Sequence, residues 1–547
     1  MATTPPPGSA SGGSRLAIAA PNRAAVAAGL RVVDQGGNAI DAALAALLVA
    51  LVNEPAVASL GGSAFLTIDP GDGSVPVTVD GAVTMPGSGL PPFRAESART
   101  RGLRDVVLGY GDGTAMSVGH GAVGTPGALA AIETAHRGFG AMPWADLVQP
   151  AIEVSAAGFA LSRAAAAYLE HSGEPVYGWH PQTRAALHRA DGSPLQPGDQ
   201  VRLPGLAQFL ERYAEQGAAA FYRGEVAQAI EADMAEHGGL ITAADLAGYH
   251  AVVRPALSLR VGRWRLATNP PPSIGGAVLA AMLLLMAGRP AADWTVDDLA
   301  HLVTVQLAVL RHRADHLDES LEREVAAAAL LAGVRAGGQD WLGGSPSTLN
   351  VSAVDRGGAA CAATASVGYG SGVPVPGAGI WLNNSLGEHE LNRIGLHGLP
   401  VGARLASNMA PTVGRRDDGT VLAIGSPGAD RITTAILQVL APVLAASPNS
   451  PGWRLDCDLL RRLVEAPRLH VRLDLDPDGG PVVEHEPAMA GMLAGDAGLA
   501  ARRPDLNWHE HLGTPMYFGG VGVAARDGAG GLCAAADSRR DCVSTVL

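Results

Sequence analysis

The segment Gly343-Gly344-Ser345-Pro346-Ser347-Thr348-Leu349-Asn350-Val351-Ser352-Ala353-Val354-Asp355 is a glycine- and proline-rich turn that runs into a β-prone stretch at a hydroxyl residue. A hydroxyl at the mouth of a strand suits nucleophilic chemistry when a base stands beside it. The same residues suit a plain loop in which Ser and Thr make local turn hydrogen bonds, and spacing by itself does not separate the two. Other chemistries find less support. The histidines His120, His136 and His301 show no H-E-x-x-H or other paired spacing, which points to core or surface roles rather than metal ligation. The cysteines Cys361, Cys457, Cys533 and Cys542 lack C-x-x-C spacing and a nearby His pair, so they read as small apolar or reduced residues. The glycine runs contain no G-x-x-x-x-G-K, and no G-x-G-x-x-G lies between a strand and a helix. Neither a metal nor any other cofactor is expected.

The elements that must position such a hydroxyl come from a chain able to bury a large core. Its 547 residues are 47% apolar and 17% charged, which excludes a wholly disordered protein and suggests one large or two to three ordinary domains. With 39 basic and 52 acidic residues the net charge is -13, a sign that repels phosphate backbones and anionic lipid headgroups. Nucleic acid and membrane partners are therefore not expected. Every basic residue is Arg and none is Lys, which excludes a lysine Schiff base and a phosphate-loop lysine. Residues 1–15 are small, polar and Pro/Gly-rich, without a basic region followed by an apolar stretch; they read as a disordered arm and not as a secretory signal. The longest apolar run, Ala39 to Val52, is interrupted by Asp41 and falls short of the roughly 20 residues that cross a bilayer. The expectation is a soluble, cytoplasmic protein.

Residues Arg23 to Val52 begin as an amphipathic stretch, turn at Gly36-Gly37-Asn38 and continue as a helix apolar on nearly every face, which must lie between layers. A short strand is expected at Ala64 to Ile68, and helices dominate from about Ala128 to Val334, with loops at Trp179 to Gln200 and at Asn269 to Gly276. From Thr348 onward short β-prone runs alternate with Gly/Pro/Asp turns: Asn350 to Val354, Ala359 to Val367, Val421 to Ile424, His470 to Leu475, Gly520 to Ala524 and Leu532 to Ala535. Helices first and strands later suggest helices layered on sheets rather than alternating βαβ units.

A series of blocks in one order resembles the gamma-glutamyltransferase (gamma-glutamyltranspeptidase) family. They include Gly36-Gly37-Asn38-Ala39-Ile40-Asp41-Ala42-Ala43, Glu54-Pro55, Gly124-Thr125-Pro126-Gly127, Gln149-Pro150-Ala151-Ile152, Ala220-Phe221-Tyr222-Arg223-Gly224, the Pro270 to Gly276 run, Gly379-Ile380-Trp381-Leu382-Asn383-Asn384, Met409-Ala410-Pro411-Thr412, Gly425-Ser426-Pro427-Gly428 and Ala535-Ala536-Asp537-Ser538-Arg539-Arg540. The resemblance implies an α+β layered αββα sandwich, the N-terminal-nucleophile hydrolase fold. It also implies a precursor that cuts itself before Thr348 into a helix-rich large subunit, 16–347, and a strand-rich small subunit, 348–547, which stay together as a heterodimer.

In that reading Thr348 is the nucleophile, and the α-amine freed by cleavage, with a reference pKa of about 7.7 to 8.0, is its base. Before cleavage the same hydroxyl attacks the preceding carbonyl to give an ester that water opens. The backbone N–H groups of Gly428 and Ala429 match the family's oxyanion donors. Ala429 stands where the family has a glycine, which requires a negative φ there. Ser366, or Thr364 two residues earlier, matches the second threonine that hydrogen-bonds the nucleophile, and Ser407-Asn408 matches a substrate-touching serine pair.

Several positions depart from the family. The arginine that clamps a glutamyl carboxylate falls at Ala82, in Asp80-Gly81-Ala82-Val83, and bidentate guanidinium pairing is hard to replace. The Gln-x-x-Asp substrate pair reads Ser385-Leu386-Gly387-Glu388, and the Thr-Thr-His opening reads Thr348-Leu349-Asn350. The stretch Glu388 to Ala406 is shorter than in lidded members, so an open pocket for a bulkier small molecule is expected, with Arg404 or Arg393 as replacement cations. Three readings follow: an amidohydrolase or acyltransferase with a substrate diverged from glutathione; a carbon-carbon bond hydrolase; or an inactive binding protein that keeps the fold. The second rests on likeness to a divergent actinobacterial branch that removes oxalate from a dihydropyrrole on the way to the 4-alkylproline units of lincomycin- and pyrrolobenzodiazepine-type antibiotics.

Overall fold

Asn22 and Asn38 start the first two helices for one reason: each side chain accepts orphan backbone N–H groups of the first turn. Asp41 returns the bond to the Asn38 N–H and closes a capping box. The first helix, α1 (Arg23–Asp34), buries one stripe, whereas α2 (Ala39–Asn53) is buried along its whole length, as its all-round apolar sequence requires. The computed structural model describes residues 14–91, 101–109, 113–290, 293–336, 349–389, 391–445, 455–473, 480–495, 497–512 and 515–547. Thr348, the turn before it and residues 1–13 of the expected arm lie outside the described residues.

Further helices that matter for the site are α3 (Ala128–Phe139), α4 (Trp144–Ala157), α5 (Gly224–His237), α6 (Gly275–Leu285), α7 (Val296–His312), α8 (Arg323–Arg335) and α9 (Arg431–Ala445). Thirteen strands build the two main sheets: β1 (Leu16–Ala20), β2 (Ser63–Asp69), β3 (Val77–Gly81), β4 (Val252–Pro255), β5 (Leu257–Val261), β6 (Trp264–Thr268), β7 (Leu349–Asp355), β8 (Ala360–Ser366), β9 (Thr412–Arg416), β10 (Val421–Gly425), β11 (Gly522–Arg526), β12 (Leu532–Ala536) and β13 (Val543–Val546).

One sheet runs β13-β1-β7-β8-β2-β3-β4 and the other β12-β11-β10-β9-β6-β5, with every neighbouring pair antiparallel. The sheets meet through small side chains, among them Ala17, Val354, Ala360, Ala362, Ala423 and Ala524. Helices α1 to α4 cover the outer face of the first sheet, and α6 to α9 that of the second. This is the αββα sandwich, and no described helix is long and apolar enough to cross a membrane.

The first part is rich in helices but also carries strands β1 to β6, all before residue 337, of which only β2 was expected. The two parts interleave: β7 and β8 lie between β1 and β2, and β9 pairs with β6. β6 and β9 escape a pattern reading because Arg residues break their apolar runs and the ladder between them joins segments far apart in the chain, although β6 also pairs with its neighbour β5 and β9 with β10. The Trp179 to Gln200 stretch also holds a short helix, Pro181–Leu187, with the His180 side chain accepting from the Gln182 N–H and Pro at its first position.

At the end of α2 the Glu54 carboxyl is buried and accepts from Asn22 Nδ2 at 2.7 Å and Ser162 Oγ at 2.6 Å. Burial outweighs these bonds and pushes its pKa up to about 7, from an ordinary 4.5. The folded state thus holds this proton where the unfolded chain releases it, so the stability it contributes is full below 4.5 and lost as pH rises through about 7. Relative to Glu54→Gln, which stays neutral, the native protein is expected to lose on the order of 3 kcal/mol across this window. Melting both proteins on either side of it checks this; parallel curves would refute it.

Candidate functional site

Five residues singled out from sequence, Ser366, Ser385, Glu388, Ser407 and Asn408, line one cavity of about 30 Å3 with Ser63, Phe65, Ala82, Leu391 and Leu405. Ser366 ends β8 opposite Ser63 of β2, whose hydroxyl donates to the Ser366 carbonyl at 3.3 Å. The Ser407 carbonyl is held by the Ser273 hydroxyl at 2.9 Å and by the Ile274 and Gly275 N–H groups, each at 3.0 Å. A Cβ on Gly275 would come within 2.1 Å of the Asn408 carbonyl oxygen, and one on Gly276 within 1.9 Å of that of Asn269. The Pro270 to Gly276 run therefore seats Ser407 and Asn408 through close backbone contact. The Asn408 carboxamide is 2% exposed, and neither of its polar atoms has a hydrogen-bond partner among the described residues.

Asn383 and Asn384 fix the other wall. Asn383 Nδ2 donates to the Gly61 and Gly124 carbonyls at 2.9 Å each, while its Oδ1 accepts from the Gly124 and Ser385 N–H groups at 3.1 Å. Asn384 Oδ1 accepts from the Tyr369 N–H at 2.8 Å. Gly368, at φ 66°, passes so close that a Cβ would lie 2.4 Å from Asn384 Oδ1 and 2.7 Å from Glu388 Oε1. The two asparagines thus hold the loop that carries Ser385 and Glu388.

Thr364 and Ser366 share a strand face but are placed differently. Thr364 is fully buried, and its hydroxyl lies 3.1 Å from the Asn350 carboxamide, which lies 3.1 Å from the Ser352 hydroxyl. Both contacts survive exchange of the amide's O and N. Ser352 donates on to the Gly522 carbonyl at 3.0 Å, so this polar chain crosses from the first sheet to the second. Its closeness explains Gly425, where a Cβ would stand 2.0 Å from Asn350 Oδ1. Asn350, Ser63 and Phe65 were missed as site residues; an amide within an otherwise small and apolar strand run, at Asn350, was the available signal.

After Gly425 the chain turns through Ser426 to Ala429. Ser426 Oγ accepts from the Gly520 N–H at 3.1 Å and donates to the Pro427 carbonyl at 2.6 Å. Gly428 takes φ 125°, and a Cβ there would stand 2.6 Å from the Gly519 Cα. Ala429 takes φ 68°, which corrects the expectation of a negative φ. Packing overrides the local cost: Ala429 is 2% exposed, and Asp430 and Arg431 are held beyond it. Arg431 donates from Nε to the Tyr517 carbonyl at 3.0 Å with its guanidinium 3.9 Å over the Tyr517 ring, and His470 Nε2 stands 3.2 Å from the Asp430 carboxylate. Burial works to raise the Asp430 pKa, but the Arg431 and His470 charges outweigh it and hold the carboxyl well below its ordinary range. No described acceptor takes the Gly428 or Ala429 N–H.

Ala82 lines the cavity, and neither Arg404 nor Arg393, the replacement cations suggested from sequence, is among its described lining residues. Arg404 is bound to Asp80 at 2.9 Å and to the His250 carbonyl at 2.8 Å, and Asp80 also holds Arg254. Arg393 lies 3.7 Å from Asp318. The expected open pocket also needs correction: Leu391, Leu405 and Ala406 wall a small cavity, because Leu386, Ile394, Leu399 and Leu405 pack with Val83, Met85 and Leu240. A larger cleft of about 640 Å3, with Arg260, Arg265, Arg335 and Arg415 in its walls, contains none of these site residues. His136 and His301 each meet a backbone carbonyl, Met142 at 2.8 Å and Leu285 at 3.0 Å.

An alanine at positive φ costs roughly 1 kcal/mol relative to glycine. Ala429→Gly is therefore expected to raise the denaturation midpoint by about that energy while leaving both backbone donors in place. A lowered midpoint would show that the methyl group packs better than the strain costs.

The family model described as gamma-glutamyltranspeptidase matches residues 25–547. The glutathione hydrolase proenzyme of Escherichia coli (strain K12) is 30% identical over 490 residues, covering 83% of this chain and 80% of its own length. The acylase ACY 1 proenzyme of Pseudomonas sp. (strain V22) is 28% identical over 553 residues, covering 97% of this chain and 93% of its own. Among solved structures, cephalosporin acylase from Bacillus halodurans shares the fold with a TM-score of 0.76 at 23% identity, over 99% of this chain and 98% of that one. The interleaved sandwich, the cavity at the end of β8 and the matched length lead to one conclusion: the chain belongs to the gamma-glutamyltranspeptidase family of hydrolases and transferases.

Proposed function

We propose that this enzyme is a self-cleaving threonine acyl hydrolase or acyltransferase whose substrate is an acyl amide other than glutathione. Cleavage before Thr348 gives subunits 16–347 and 348–547, and the exposed amine of Thr348 activates its own hydroxyl for attack on the substrate carbonyl. Gly428 and Ala429 N–H groups receive the oxyanion, Ser366 hydrogen-bonds the nucleophile, and Thr364 supports it through Asn350. Ser385, Glu388, Ser407 and Asn408 hold the substrate. The β1–β7, β2–β8 and β6–β9 ladders would keep the cut subunits together.

The observation that carries this reading is the orphaned Asn408 amide in a cavity without a guanidinium among its lining residues. A buried carboxamide left unpaired costs about 1 to 3 kcal/mol, which a ligand can offset. With no arginine among the described lining residues, a glutamyl carboxylate finds no guanidinium to pair with there, whereas a neutral acyl group beside Phe65 and Leu405 needs none. The same missing guanidinium favours keeping a second reading, in which Thr348 attacks a ketone-like carbonyl of a dihydropyrrole side chain and oxalate is released.

Wild-type protein is expected to run as two polypeptides on a denaturing gel, and Thr348→Ala as one. A single intact chain with full activity would sink the mechanism. Neutral-acyl anilides should be cleaved at least about tenfold faster, in kcat/KM, than gamma-glutamyl-p-nitroanilide, a difference of about 1.4 kcal/mol. The reverse order would discard the proposed substrate class, and oxalate from a dihydropyrrole side-chain acid would select the second reading. Asn408→Leu should lower kcat/KM about 10- to 100-fold yet raise Tm, since it removes an unpaired buried amide; a lowered Tm would mean that the amide is satisfied in the free enzyme.

A further inference from the structure

Away from the cavity, two elements bring three metal-ligating side chains together. Asp233 and His237 lie one turn apart on α5, and Gly238, at φ 84°, ends that helix so that His237 sits in its last turn. His120 follows Gly119, whose φ of 93° makes a turn where a Cβ would come within 2.6 Å of the Gly102 carbonyl oxygen. His120 Nε2 lies 3.0 Å from Asp233 Oδ2, and His237 Nδ1 lies 3.1 Å from Asp233 Oδ1. One ligand atom from each residue falls within 4.8 Å of the others. Ligands of a tetrahedral zinc ion at bond lengths near 2.0 to 2.1 Å stand about 3.3 Å apart, so the three groups would close up on an ion, and the His120 and His237 rings, stacked at 4.7 Å and 20°, would turn their nitrogens toward it.

We propose that His120, Asp233 and His237 form a binding site for a divalent transition-metal ion of the zinc class. Two imidazoles and a carboxylate are the donor set such an ion takes, with water completing the tetrahedron. His120 is buried against the edge of Trp179, with ring centroids 6.1 Å apart, while the His237 side chain is 49% exposed and leaves an entry path. His237 Nδ1 is also 3.0 Å from the Asp233 backbone carbonyl, a bond the ion would replace.

The site bears on the cavity through the backbone. The Leu386 N–H donates to the Ala122 carbonyl at 3.1 Å, the Ser117 N–H donates to the Gly387 carbonyl at 3.0 Å, and the His397 ring meets the Gly121 carbonyl at 3.0 Å. An ion at His120 would thus tie α5 to the support of the loop that carries Ser385 and Glu388. This assignment does not depend on the proposed substrate or on Thr348.

Chelator-treated full-length protein titrated with Zn2+ by calorimetry should bind one equivalent and gain Tm. Co2+ at the same site should show the visible absorption of a tetrahedral ion. His237→Ala, at a half-exposed position where folding is not at risk, and His120→Ala should each weaken binding at least about tenfold, whereas His509→Ala, on an exposed strand, should not. No bound equivalent, or binding that persists in the His120→Ala/His237→Ala double variant, would overturn the assignment.

Discussion

The structure depends on how closely two antiparallel sheets approach one another. Side chains between them are mostly alanine and valine, and where β7 passes β10 and β11 the facing positions are Gly425 and Gly522. That spacing admits the Asn350 carboxamide and lets one polar chain, Thr364 to Asn350 to Ser352 to Gly522, cross the sandwich. A buried polar chain is tolerable because its members pair with one another. Larger side chains would part the sheets and separate the mouth of β7 from the turn that follows Gly425.

Around this centre the cavity is held by backbone contact more than by side-chain packing. Glycines at 275, 276 and 368 mark places where another chain segment comes too near for a Cβ. Asparagines at 383 and 384 satisfy several backbone groups at once, which makes the Ser385 to Glu388 loop rigid without a secondary-structure element of its own. Charges are handled differently. Asp80 gathers Arg254 and Arg404 and neither is among the described lining residues of the cavity, which are hydroxyls, an amide, one carboxylate and apolar groups.

Elements whose signals are local were legible from the residues. The asparagine caps, the Gly36-Gly37 break and the all-round apolar run of α2 each act within a turn or two of helix, and the short strands after residue 348 stand out between turn residues. β6 and β9 were not legible, since Arg side chains interrupt their apolar patterns and the ladder that joins them links segments far apart in the chain. The five residues of the cavity were reachable through matched blocks, but their meeting at one place was not.

By itself the sequence determined the lack of any lysine, the alanine at position 82 and, through the order of matched blocks from Gly36 to Arg540, the family. Tertiary structure alone decided that Ala429 takes a positive φ, that Arg404 is occupied by Asp80, that the Asn408 amide is left unpaired, and that His120 meets Asp233 and His237. The physical reason is common to all four. Residue type and neighbours set local preferences of about a kilocalorie per mole, whereas these outcomes are set by groups far away in the chain that packing brings within a few ångströms.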